Sequence, residues 1–109
     1  MLVLSAMVGC VSDPAPSEQL RLTEQALVQA RSVGASEQIP ELALAEQKLT
    51  AAVAAMKDEH HREARRLAEQ AELDARLAEA SVLNDKSQQE LEELNRRIAR
   101  LREQLGDLQ

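Results

Sequence analysis

The sequence contains no phenylalanine, tryptophan or tyrosine, and it has only three glycines, three prolines and one cysteine in 109 residues. Without aromatic rings the chain lacks the platforms on which single-stranded nucleic acid stacks, and a net charge of −6 removes the basic surface that nucleic acids need. One cysteine excludes an intramolecular disulfide. The 18 alanines favour helix and argue against a sheet. We therefore expect an all-α protein with a thin core, no deep ligand pocket and no nucleic-acid partner.

The first nine residues are uncharged and mostly apolar, and all 13 basic and 19 acidic side chains follow Cys10. A membrane-spanning helix needs about 20 apolar residues, so this segment is too short to be one. It is typical of the apolar part of a secretory signal that lacks its basic start, which indicates a true start codon upstream of Met1. Met7, Val8 and Gly9 resemble the lipobox that precedes the lipidated cysteine of bacterial lipoproteins. We predict that Cys10 is lipidated; the alternative is a disordered apolar start with an incidental thiol.

The residues after the cysteine predict a tether and a location. Pro14 and Pro16 keep the segment up to Ser17 from being helical, so it reads as a short extended linker. Val11 rather than aspartate follows the cysteine, which by the usual sorting rule resembles an outer-membrane lipoprotein facing the periplasm.

Three helical segments are predicted after the tether. Ser17 is placed to cap the first helix, and Gly34 is placed to end it. Pro40 suits the first turn of the second helix. Lys57 to His61 contains neither glycine nor proline, and only its charge cluster and a change of apolar face predict a turn rather than a continuous helix. The predicted inward faces are Leu20, Thr23, Leu27 and Ala30, then Leu42, Ala45, Leu49, Ala52, Val53 and Met56, then Ala64, Leu67, Ala68, Ala71, Ala75, Ala78 and Val82.

The last segment carries a heptad pattern, in which apolar residues follow one another at spacings of three and four. Its members are Leu91, Leu94, Ile98, Leu101, Leu105 and Leu108, which we call the leucine seam. Such a pattern is typical of a coiled coil, and Asn84 and Ser87 are expected to loosen or end it on the N-terminal side. The third helix is expected to run continuously from about residue 60 to 107. The pairs Glu92–Arg96 and Glu93–Arg97 are expected to reinforce it.

The charges beside the leucine seam predict how two such helices would pair. With Leu91 and Ile98 at position a, Arg97 falls at g and Arg102 at e, so these arginines repel one another in a parallel dimer. An antiparallel pair sets Glu90 near Arg97 instead. We expect that a homomeric coil, if it forms, is not parallel.

No residue constellation predicts catalysis, a metal site or a cofactor. His60 and His61 are adjacent and therefore point to different faces of a helix, whereas metal ligands on a helix are spaced by three or four. The acidic residues of 58–79 alternate with basic ones, which is typical of a solvated face. Cys10 has no accompanying base. We expect a protein that is not an enzyme.

Residues 33–80 resemble the bacterial domain of unknown function 4398 (DUF4398). The matching residues are Ala35, Pro40, Glu41, Leu42, Ala45, Lys48, Leu49, Ala52, Ala64, Leu67, Ala68, Ala71, Asp74 and Ala75. His61 stands where that family often has an aromatic side chain. The resemblance implies a periplasm-facing lipoprotein of helical hairpins, from a family without an assigned activity.

The sequence thus predicts an elongated antiparallel helical hairpin or three-helix bundle with a C-terminal coiled-coil extension. We divide it into a truncated signal-like segment (1–9), a lipid anchor and tether (10–16), an alanine-rich helical domain (17–82) and a coiled-coil tail (83–109). The predicted function is a structural or adaptor role in the envelope, with the leucine seam binding a second copy or another envelope protein. Two alternatives are a helical-repeat module that binds a peptide or glycan, and a cytosolic coiled-coil interaction protein.

Overall fold

The computed structural model describes residues 13–108 and consists there of three helices. Helix α1 is Ser17–Ser32, α2 is Pro40–Lys57 and α3 is His61–Asp107. At 47 residues, α3 is about 70 Å long and makes the protein elongated. The all-α class, the three-helix arrangement and the uninterrupted third helix are confirmed.

The start of α1 differs from the prediction. Ser17 is the first helical residue, the capping position belongs to Pro16, and no side chain in the described part of the chain caps the helix. Instead the Pro16 carbonyl accepts the Leu20 N–H at 3.0 Å, and Pro16 itself is buried. Glu18 still places a negative charge in the first turn, where the helix dipole favours it.

The turn between α1 and α2 has the predicted residues in the predicted roles. The Ala35 N–H donates to the Ala30 carbonyl at 2.9 Å and the Gly34 N–H to Arg31 at 3.0 Å, the two hydrogen bonds of a Schellman motif. Gly34 has a φ of 111°, which a residue with a side chain rarely adopts. Pro40 then occupies the first turn of α2, where its missing N–H costs nothing.

The predicted turn after Met56 is present, and it has the same hydrogen bonds without a glycine. The His60 N–H donates to the Ala55 carbonyl at 2.9 Å, and the Glu59 N–H donates to Met56 at 3.2 Å. Glu59 takes the left-handed position, with a φ of 61°. The chain therefore reverses direction at a glutamate, a residue type that does not by itself predict a turn.

The core is built from small side chains on all three helices. Of the predicted faces, Thr23, Leu27, Ala30, Leu42, Ala45, Ala52, Ala64, Ala68, Ala71, Ala75, Ala78 and Val82 are buried, and Leu20, Leu49, Val53, Met56 and Leu67 are partly buried. Alanine lets helices approach closely, so each contributes little buried area but tight contact. Helix α3 packs against both other helices, and α1 and α2 touch each other less.

Polar contacts fix the order of the helices. The Thr23 hydroxyl, fully buried in α1, lies 2.9 Å from both the Gln19 and the Ala68 carbonyl oxygens and shares its proton between them. Lys48 of α2 pairs with Asp74 of α3 at 2.5 Å in a partly buried position. Asp13, just before α1, contacts Arg62 near the start of α3, and Val33, just after α1, contacts Lys86, so α1 runs parallel to α3. Helix α2 is joined to both by short turns and runs antiparallel to them.

Candidate functional site

The C-terminal part of α3 extends beyond the other two helices. The last contact with the bundle is at Lys86, whose ammonium donates to the Val33 carbonyl at 2.5 Å and so satisfies the C-terminal end of α1. From residue 83 to 108 every side chain is exposed except that of Glu93. About 30 Å of helix thus projects without a neighbour among the described residues.

The leucine seam lies along this projecting helix. The exposed fractions of its six members range from 38% for Ile98 to 83% for Leu108. Apolar groups of that size gain free energy when they leave water, at roughly 25 cal/mol per Å². The seam stays a predicted interface, and within residues 13–108 no other helix covers it.

The exposed apolar surface of α3 starts earlier than the sequence pattern indicated. Leu73 and Leu77 are 67% and 54% exposed, and each lies a whole number of heptads before members of the leucine seam. Sequence analysis ended the pattern at Asn84 and Ser87 and so missed both residues. Counting the heptads back through those two polar positions would have found them.

The leucine seam and the bundle core occupy opposite faces of α3. Successive helical residues are turned by about 100°, so Leu73 lies nearly opposite the face formed by Ala71, Ala75 and Ala78, and Leu77 lies about 130° from the centre of that face. Those three alanines are fully buried against α1 and α2. Within residues 13–108, the bundle therefore leaves the leucine face of α3 uncovered.

Glu93 is the carboxylate with which three arginines of the projecting helix form ion pairs. Arg97 Nε donates to Glu93 at 3.0 Å, Arg96 lies 3.1 Å from it and Arg100 3.6 Å from it. The hydrogen bond from Arg97 is the main cause that lowers the pKa of the Glu93 carboxyl, and Arg96 adds to it. The Glu93–Arg97 pair was predicted correctly, whereas Arg96 bonds Glu93 rather than the predicted Glu92.

The opposite end of the molecule receives the N-terminal tether. Asp13 accepts from Arg62 Nε at 3.2 Å, and the Pro14 carbonyl accepts from Arg65 at 3.4 Å. Both arginines lie in the first turns of α3, so the tether meets α3 at the far end from the leucine seam. Cys10 and the segment 1–9 lie outside the described residues.

The histidine pair sits at the same end. Nδ1 of His61 is buried and has no hydrogen-bond partner among residues 13–108, and His60 is exposed. Between residues 13 and 108, no group of three or more histidine, cysteine or acidic side chains is arranged to hold a metal ion.

An open groove runs between α1 and α3 beside Leu22 and Val28, bordered by Arg21, Arg76 and Glu79. Val28 is 65% exposed, so the groove is a surface feature rather than an enclosed cavity.

In the described part of the chain, no helix is both long and apolar enough to cross a bilayer.

Comparison with known proteins identifies the family. A crystal structure of a DUF4398 family protein from Pseudomonas aeruginosa PAO1, at 2.47 Å resolution, is 57% identical in sequence and superposes with a TM-score of 0.85. The match covers 88% of this chain and 100% of that one. A search of curated proteins found no match. The family model of the domain of unknown function DUF4398 matches residues 18–94, so the chain belongs to the DUF4398 family.

Proposed function

We propose that this protein is an outer-membrane lipoprotein, anchored through Cys10 and facing the periplasm, that docks to a partner through the leucine seam of α3. The role is structural or adaptor-like rather than catalytic. The observation that carries the proposal is the row of exposed leucines on a helix that continues about 30 Å past its own bundle. An exposed apolar row of this length lowers the solubility of a protein unless another molecular surface covers it.

The position of the tether supports this arrangement. Asp13 and Pro14 bond to the start of α3, whereas Leu108 is at its other end. A lipid on Cys10 would hold the tether end at the membrane, and the seam would then lie as much as about 70 Å away, at the reach of α3. The apolar stretch and lipobox-like residues before Cys10 supply the reason to expect that lipid.

The anchor is tested by labelling cells that express the natural gene with radioactive palmitate. We expect label and membrane recovery in the wild type and neither in Cys10→Ser. Met7→Leu, which restores the residue usual at that lipobox position, is the matched control and keeps both. Label that persists in Cys10→Ser refutes the anchor.

The docking role is tested separately, with a photocrosslinking amino acid at Leu101 of the seam. The control position is Glu103, two residues further on and exposed on another face of the same helix. We expect a discrete crosslinked product from position 101 and much less from 103. Equal or absent crosslinking at both positions refutes docking through the seam.

A further inference from the structure

We propose that the occupant of the leucine seam is a second copy of this chain, bound antiparallel, with Leu91 of each copy packed against Leu94 of the other. The inference rests on the proposed docking role and names its partner. In this register the two third helices overlap from residue 77 to 108, about 48 Å. The end of each projecting helix, residues 99–108, then lies against residues 77–86 of the other copy, on the free face of its bundle.

Side-chain volumes are complementary in this register. The three small or polar positions of the row, Ala80, Asn84 and Ser87, fall opposite large aliphatic ones. Ala80 lies opposite Leu105 of the second copy, Asn84 opposite Leu101 and Ser87 opposite Ile98. Leu77 lies opposite Leu108. Large side chains facing small ones interdigitate without voids. The residues that interrupt the seam within one chain thereby become the receiving sites for the other.

Charge selects this register over its neighbour. Glu90 and Arg97 both occupy position g, and in this register Glu90 of each copy faces Arg97 of the other, twice per dimer. Sliding by one heptad, so that Leu91 meets Leu101, brings the two Arg97 side chains together instead. A parallel pair sets Arg97 against Arg102. A shorter overlap that joins only the ends of the tails, with Leu91 opposite Leu108, leaves Glu90 without a facing arginine.

The contacts within one chain leave Glu90 available for this pairing. Among the ion pairs of residues 13–108 none includes Glu90, while Arg97 shares Glu93 with Arg96 and Arg100. Turning Arg97 toward the second copy therefore leaves Glu93 with two arginines. Glu93 loses its hydrogen bond from Arg97 in this exchange but keeps Arg96 at 3.1 Å and Arg100 at 3.6 Å.

The buried surface is large enough for a dimer. The exposed fractions of Leu77 and the six seam residues together equal about four whole side chains per copy. Burying eight such side chains releases free energy of at least the same order as that lost when two molecules become one. We expect dissociation in the micromolar range or below.

Disulfide trapping tests the register in the full chain carrying Cys10→Ser, which has no other cysteine. Protein with Ser87→Cys is mixed with protein with Ile98→Cys in a glutathione redox buffer. We expect this mixed disulfide to exceed self-linked Ile98→Cys roughly tenfold or more, because the paired thiols meet at the effective concentration of one complex. Parallel pairing gives self-linked Ile98→Cys. The antiparallel register with Leu91 opposite Leu101 instead links Ile98→Cys to Leu94→Cys, and the register with Leu91 opposite Leu108 links Ile98→Cys to Leu101→Cys. Any of these three disulfides, formed in preference to the one between Ser87→Cys and Ile98→Cys, overturns the proposal.

Charge exchange and sedimentation complete the test. Glu90→Arg and Arg97→Glu each weaken dimerisation, by roughly tenfold, and the double variant restores it. Equal effects of the double and single variants contradict the pairing. A chain that is monomeric in sedimentation at about 100 μM overturns the proposal as well. If Leu101 nevertheless crosslinks a different protein in cells, the docking role survives and only the identity of its partner is wrong.

Discussion

Two alanines, two residues apart on α3, give a direct test of the close-packed core. Ala78 is fully buried between helices, whereas Ala80 faces solvent on the leucine side. Leucine and alanine have similar helix propensities, so Ala78→Leu and Ala80→Leu are equal as changes in the isolated helix. Any difference between the two variants therefore reports packing.

The expected cost of Ala78→Leu follows from the absence of exposed surface at that position. Three added carbon atoms would be worth about 2 kcal/mol if space existed for them. With alanines fully buried on both sides of the contact, the helices must separate, and overpacking of this kind costs about 1–3 kcal/mol. The steric cost outweighs the gain because separating the helices also breaks the contacts of the neighbouring alanines.

Urea unfolding followed by far-ultraviolet circular dichroism measures the difference. We expect Ala78→Leu to lower the unfolding midpoint by roughly 1 M, which corresponds to about 2 kcal/mol for a domain of this size. Ala80→Leu should leave the midpoint of the monomer unchanged or raise it, measured below the concentration at which chains associate, because in the proposed dimer Ala80 faces Leu105 of the second copy. Measuring at two protein concentrations separates folding from association. Equal midpoints for the two variants would refute the reasoning that the small side chains set the distance between the helices.

Three further predictions concern the turns, a fully buried core leucine and the acid response. Gly34→Ala should destabilise the protein by about 1 kcal/mol, and Glu59→Gly should stabilise it by up to about 1 kcal/mol, because both positions have a positive φ that suits glycine. Unfolding midpoints that move in the same direction for both variants would contradict this. Leu42→Ala should cost about 2–5 kcal/mol in urea unfolding, since Leu42 is 1% exposed in the core, and a loss below about 1 kcal/mol would show that the site collapses around the cavity. The hydrogen bond from Arg76, followed by that from Gln19, lowers the pKa of Glu72, so its contribution to stability is present at neutral pH and is lost as the pH falls below about 4.5. Unfolding midpoints measured between about pH 6 and pH 3 should therefore fall less in Glu72→Gln than in the wild type, and Glu103→Gln, an exposed carboxylate outside the bundle, should behave as the wild type.

Much of the fold follows from local rules that act within a few residues. Gly34 and Pro40 mark a helix end and a helix start by their backbone chemistry alone, and both do so in the structure. The spacing of Ala64, Ala71 and Ala78 determines which face of α3 is buried, since residues a heptad apart share a face. Composition argued against a sheet for a local reason as well, since alanine has the highest intrinsic helix propensity of the residues.

Other features depended on contacts between distant parts of the chain. Glu59 adopts a left-handed conformation because packing of α2 on α3 requires a reversal there, and nothing in its side chain favours it. Ser17 does not cap α1, because the Pro16 carbonyl begins the helix while Pro16 is buried. Arg96 pairs with Glu93 rather than with Glu92 because of its side-chain conformation, which the spacing of these residues in the sequence does not determine.

The candidate site shows the same division. Heptad spacing alone places Leu91 to Leu108 in one apolar row, because residues at these positions share one side of any α-helix. How the three helices pack leaves this row exposed within one chain and lets Leu73 and Leu77 continue it behind the bundle. Helices α1 and α2 can cover only one side of α3, and they pack closely on the side with the buried alanines, so the leucines on the other side are left uncovered within residues 13–108.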